Sequence, residues 1–128
     1  MNTVKILSFT SLLTLAAFVP LEANAGEKVA TAPSVPFQYG LGVRNFQTFC
    51  SECHGEWAEG SDKGPPFLHP YYKSSHHSDD AFYRAASQGV TAHHWRFGNM
   101  PPVEGATPQD VQSIILFIRW LQREYGME

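Results

Sequence analysis

The segment Cys50-Ser51-Glu52-Cys53-His54 constrains this 128-residue chain more than any other. It holds both cysteines of the sequence, spaced C-x-x-C and followed at once by an imidazole, the pattern by which a c-type haem is attached. In a helix, Cys50, Cys53 and His54 stand at i, i+3 and i+4, so both sulfurs and the imidazole share one face. The chemistry needs that spacing. The two thiols add across the vinyl groups on one edge of the porphyrin, while the imidazole reaches under the ring to the iron. Zinc sites and thiol–disulfide centres also use C-x-x-C, so the rest of the chain must discriminate.

The N-terminus reads as an export address. Lys5 precedes a charge-free stretch from Ile6 to Val19, and Ala23-Asn24-Ala25 forms an A-x-A cleavage site. The 14 residues from Ile6 to Val19 are too few for a comfortable membrane span. Residues 1–25 are therefore expected to be a cleaved signal peptide of a bacterial, periplasmic type, with an uncleaved N-terminal anchor as the alternative. No stable membrane insertion is expected after cleavage. The remaining 103 residues can bury one modest core, to which a haem would add a large apolar plate. Formal charge is −3, and no basic patch or run is present, which argues against nucleic acid. An exported chain whose only cysteines lie in this motif must protect them from oxidation; covalent attachment to haem does so.

Residues 26–36 are polar, contain two prolines and read as a flexible leader, leaving 37–128 as the domain. A first helix is expected from near Phe37 into the motif, because Tyr39, Val43, Phe46, Cys50 and Cys53 form a helical stripe. Gly42 interrupts it, which suits a site where another backbone crosses closely; a helix starting after Gly42 is the alternative. Residues 55–78 carry glycines 55, 60 and 64 and prolines 65, 66 and 70, the composition of a loop wrapped around something. Ser78-Asp79-Asp80 opens a short helix that Gly89 stops. A second loop, 90–106, contains Met100-Pro101-Pro102. The last helix starts at Thr107-Pro108-Gln109-Asp110, with a capping hydroxyl, a proline at the first helical position and an acid at the third. Val111, Ile114, Ile115, Ile118 and Leu121 form its apolar face, widened by Phe117 and Trp120, while Arg119 and Arg123 suit the dipole at its C-terminal end. No stretch alternates as a strand does, and no internal repeat is present.

Taken in order, these pieces resemble a class I cytochrome c over essentially the whole of the chain beyond the signal. Gly42 and Phe46 match the N-terminal helix positions that pack on the last helix, and Ile114 and Phe117 match their partners there. Cys50, Cys53 and His54 match the haem attachment and proximal ligand. Gly64-Pro65 matches the turn whose proline carbonyl accepts a hydrogen bond from the proximal histidine, and Met100-Pro101 matches the distal-ligand loop. The resemblance implies an all-α fold, about three main helices wrapped around one covalent haem c with its iron, and an electron carrier rather than an enzyme. It further implies a monomer that meets redox protein partners transiently. In that reading His54 binds iron through Nε2 with its other ring nitrogen held by an acceptor. Met100 supplies a soft thioether that raises the potential, and Pro101 restricts its backbone to extended geometry.

The minimal family pattern leaves His69, His76, His77, His93 and His94 unexplained. Trp95 and Arg96 are candidate donors to the haem propionates, which need partners when buried; a core tryptophan and a solvated arginine are the alternatives. The histidines are solvated loop residues, ligands of a second metal such as copper, or in one case a replacement for Met100 on the iron. Rival functions are a haem-based sensor or redox-enzyme subunit with a labile Met100, and a copper- or zinc-binding protein that uses the cysteines and histidines. A dithiol oxidoreductase fits poorly, since no alternation of strand and helix surrounds the motif.

Overall fold

A computed structural model describes residues 32–127. The expected signal peptide, 1–25, and most of the expected leader, 26–36, lie outside the described residues. A 3₁₀ turn at Phe37–Tyr39 leads into α1 (Gly40–Phe49), which is followed by the single turn α2 (Ser51–His54); α3 spans Asp79–Gln88 and α4 spans Pro108–Glu124. A second 3₁₀ turn lies at Pro70–Tyr72. Extended pairing among the described residues is limited to one antiparallel bridge, Val90 with Met100. The architecture of the described residues is all-α, as the resemblance implies.

The last helix is specified locally at its start. The Thr107 hydroxyl accepts the Asp110 backbone N–H at 3.2 Å, and the Asp110 carboxylate accepts the Thr107 N–H at 3.0 Å. This reciprocal box satisfies two backbone donors that a helix start leaves orphaned. Behind it, Val111, Ile114, Ile115, Phe117, Ile118, Trp120 and Leu121 are all buried.

Helix α1 crosses α4 at Gly42. A Cβ there would stand 2.2 Å from the Ser113 carbonyl oxygen and 2.7 Å from Phe117 Cβ, so only glycine lets the two backbones meet. The helix runs through Gly42 and does not start after it. Phe46 then packs edge-on to Phe117 and Phe67, with ring centroids 5.5 and 6.2 Å away. Asn45 donates to the Asp110 carboxylate and the Ser113 hydroxyl, both at 2.9 Å, which fixes the register of the crossing.

Two local expectations differ from the structure. The first helix does not continue unbroken into the motif: Cys50 leaves helical geometry (φ −126°) and forms a joint between α1 and α2. Its N–H still reaches the Phe46 carbonyl at 2.8 Å, and its own carbonyl accepts the His54 N–H at 3.0 Å, so the chain turns without losing its hydrogen bonds. Ser78 does stand before α3, but its hydroxyl makes no capping bond.

Arg119 also departs from its expected role. It is only 7% exposed, and it donates to the Asp79 carboxylate (2.8 Å), the Tyr72 carbonyl (2.7 Å), the His77 carbonyl (2.6 Å) and Gln122 Oε1 (2.7 Å). Its guanidinium lies 5.2 Å from the Phe82 ring centroid. A charge expected to serve the helix dipole instead ties α3 and the loop before it to α4.

Candidate haem site

The loop after α2 grips the motif by its backbone. The His54 carbonyl accepts the Gly60 N–H at 2.7 Å, and the Cys53 carbonyl accepts the Ser61 hydroxyl at 2.6 Å. Gly64 packs so closely that a Cβ would stand 2.8 Å from the Cys53 carbonyl oxygen. These contacts deliver the Pro65 carbonyl to 2.8 Å from His54 Nδ1. A carbonyl can only accept, so Nδ1 carries the proton and Nε2 keeps its lone pair. Burial lowers the pKa of His54, with the Pro65 bond acting in the opposite sense, and the Phe67 ring stacks on it at 4.2 Å. The result is a neutral imidazole of fixed tautomer, the form a metal requires.

Cys50 and Cys53 form no disulfide. Burial, and then the charge of Cys53, push the Cys50 thiol up to about 12. A reactive C-x-x-C dithiol has the opposite property, a thiol lowered towards neutrality. The electrostatics therefore disfavour a dithiol redox centre.

The motif opens on a cleft of about 750 Å³, lined by Cys50, Cys53, His54 and Pro65, by Phe82 of α3, by Val90, Trp95 and Met100 of the second loop, and by Ile114 and Ile118 of α4. Its size falls in the range of cofactor pockets. Met100 is half-buried, and its backbone is pinned on both sides by Val90, with N–H···O distances of 2.9 and 3.0 Å. Gly89 (φ +76°) makes that pairing possible, because a Cβ would lie 2.4 Å from the Met100 carbonyl oxygen.

Trp95 Nε1 is buried without a hydrogen-bond partner of normal geometry, although it is close enough to Tyr72 to oppose the upward shift that burial gives the phenol. An orphaned buried donor is costly to leave unpaired. It belongs to a residue that lines the cleft, where a bound ligand could bring the acceptor it lacks. Arg96, its expected companion, is exposed and does not line the cleft, whereas Arg84 of α3 does.

Of the five other histidines, His76, His77, His93 and His94 line the cleft and His69 does not. His69 packs edge-on against Trp95, ring centroids 4.8 Å apart. Arg119 and Gln122, which hold the cleft wall in place, were not singled out by their chemistry. A positional signal exists: Ile115, Arg119 and Gln122 stand at i, i+4 and i+7, so two polar side chains share the buried face of α4 with an isoleucine.

Two thiols at attachment spacing, a neutral imidazole with a free lone pair and a thioether thus belong to residues that line one largely apolar cleft, and the orphaned N–H of Trp95, another lining residue, is buried beside it. That set fits a flat apolar prosthetic group with a metal at its centre and an acidic edge. The family model for cytochrome c matches residues 40–122, from the first residue of α1 nearly to the end of α4. No curated protein and no solved structure matches the chain significantly.

Proposed function

The chain belongs to the cytochrome c family, and from that premise we propose that it is a periplasmic carrier of single electrons, built on one covalent haem c. Family membership carries the covalent haem and electron transfer in general. The finer reading is ours: Cys50 and Cys53 would form the thioether links, His54 Nε2 and Met100 would hold the iron, and Trp95 Nε1 would donate to a propionate. The observation that carries it is the 2.8 Å contact between His54 Nδ1 and the Pro65 carbonyl, which leaves the other nitrogen as the only donor site on a buried ring. When bound, the haem supplies a one-electron iron couple.

The protein's own residues set the conditions for that couple. The Pro65 carbonyl makes His54 a better donor by taking its N–H. A thioether from Met100 favours the reduced iron and raises the potential. Phe82, Val90, Ile114 and Ile118 give the cleft an apolar lining. With His54 and Met100 both on the iron, no position would remain for a substrate, so we read the protein as a carrier between larger redox proteins rather than an enzyme. The sequence supports export through the signal-type stretch 1–25, and among the described residues no helix is long and apolar enough to cross a membrane.

The test is the visible spectrum of the protein made in a host that attaches haem, taken oxidised and reduced. Sharp low-spin bands together with the weak far-red sulfur-to-iron band are expected, and the reduced protein should not bind carbon monoxide at neutral pH. A haem spectrum lacking the far-red band would remove Met100 from the iron and favour the sensor reading; no haem at all would overturn the proposal.

A further inference from the structure

Three of the five histidines that the haem reading leaves over converge on one point. One ring nitrogen from each of His76, His77 and His94 lies within 4.8 Å of the other two. His76 Nε2 and His94 Nε2 face each other at 3.2 Å. Two metal–nitrogen bonds of about 2.0–2.1 Å meeting at a near-tetrahedral angle span about that separation. The donor atoms of this pair already stand at the bite of a coordinated ion, and the third lies within 4.8 Å of each.

The surroundings orient these rings as ligands are oriented. His77 Nδ1 is held by the Tyr71 carbonyl. A carbonyl accepts, so the His77 proton sits on Nδ1 and Nε2 is left with a lone pair. The Tyr71 ring stacks on His94 at 4.3 Å, within 22° of parallel, and fixes its plane. His93 packs 4.3 Å from His94, and its Nδ1 lies 2.8 Å from the Thr91 carbonyl; its Nε2 is thereby also left as an acceptor, close to the cluster. Arg119 anchors the His77 backbone from behind, through the carbonyl at 2.6 Å.

No carboxylate is in the set, and its donors are imidazole nitrogens alone. Imidazole donors alone select borderline first-row ions over calcium or magnesium.

We propose that His76, His77 and His94 form a second metal site, for a divalent ion of the copper(II) or zinc(II) class, on the lip of the cleft. Its ligands come from two separate stretches of chain, 76–77 and 94, so the ion would clasp the loop before α3 to the loop that carries Met100. This inference requires only that none of the three histidines ligates the iron.

The test is calorimetric titration of the untagged, haem-loaded protein with zinc chloride at pH 7.5, with electron paramagnetic resonance of the copper(II) form alongside. Haem loading removes the cysteine thiols as competing ligands; should haem fail to attach, Cys50→Ser/Cys53→Ser protein serves the same purpose and keeps the two proposals separable. One equivalent should bind, and copper should show hyperfine coupling to several nitrogens. His76→Ala/His94→Ala should weaken binding at least about 100-fold, since even outer partners of metal ligands are worth about 10–100-fold, and it should leave the haem spectrum unchanged. His69→Ala, outside the cluster, should bind as the parent does. Absence of stoichiometric binding, or equal binding by the double variant, would overturn the site. An altered haem spectrum in the double variant would do so too, by placing one of these histidines on the iron.

Discussion

Arg119 on the last helix donates to the backbone carbonyl of His77 at 2.6 Å, so the cleft wall is fastened through a main-chain atom of a residue that itself faces the cleft. The same guanidinium holds the Tyr72 carbonyl, which also accepts from Gln122 at 3.0 Å. Tyr72 ends the second 3₁₀ turn and residues 73–77 form no helix or strand, so no backbone ladder satisfies these carbonyls, and a buried arginine with a glutamine beside it does so instead. Replacing Arg119 by Met keeps much of the volume but strands the His77 carbonyl and Gln122 Oε1. At about 1–3 kcal/mol for each buried unpaired group, Arg119→Met should lose about 3 kcal/mol in urea unfolding. Arg119→Lys should recover only part, since one ammonium cannot reach four acceptors in the same plane.

The crossing at Gly42 gives a sharper contrast. Gly42→Ala puts a methyl 2.2 Å from the Ser113 carbonyl oxygen, with backbone on both sides and nothing flexible to yield. Overpacking of this kind costs about 1–3 kcal/mol or more, and a fall in melting temperature on the order of 10 °C is expected. Gly40→Ala, two residues earlier, meets nothing within 4 Å and should be neutral or slightly stabilising, by up to about 1 kcal/mol. Equal effects of the two substitutions would mean that α1 and α4 do not meet at Gly42.

These elements differ in how far they could be read from the sequence. The apolar face of α4, its cap and the Gly42 crossing follow from periodicity and local chemistry, and the C-x-x-C-H segment names its own cofactor. The break at Cys50 could not be read, because the apolar stripe runs through it without interruption. Arg119 was misplaced because a cation near a helix C-terminus has a ready local explanation, and only the return of loop 72–77 shows what the charge serves. The convergence of His76 and His77 with His94 was likewise hidden: His77 and His94 stand 17 positions apart in the chain, and only the fold closes that distance.

The start of α4 should respond to acid in a predictable direction. The Thr107 hydroxyl and backbone N–H hold the Asp110 carboxyl below its usual value of 3.8. Its contribution to stability is therefore complete above that ordinary value and is lost as pH falls through the lower, folded one. Thr107→Ala should cost about 1 kcal/mol at neutral pH, the usual worth of such a cap. Measured by thermal unfolding, the gap between parent and variant should narrow below about pH 4. A gap independent of pH would show that Asp110 does not act through the box.

If Met100 holds the iron, Met100→His should keep the haem and lower the potential by on the order of 0.2 V, a fraction of the roughly 0.8 V range that axial ligands set. Potentiometric titration followed at the visible bands reads this directly. An unchanged potential would mean that Met100 packs against the site without ligating it.

Gly89 tests the same ligand from its backbone. At φ +76° it accepts a conformation that L side chains resist, and a methyl there would stand 2.4 Å from the Met100 carbonyl oxygen. That oxygen is the acceptor for the Val90 N–H at 2.9 Å, so Gly89→Ala must displace the one bridge that pins Met100. Both Cys50 and Cys53 lie far from this substitution in sequence, on the motif, and covalent attachment should survive. The expected result is a haem protein in which the far-red sulfur-to-iron band is weakened or lost and carbon monoxide binds the reduced form. Retention of the full band would show that the Val90–Met100 bridge is dispensable for ligation, and that Pro101 and the cleft lining suffice to hold the thioether in place.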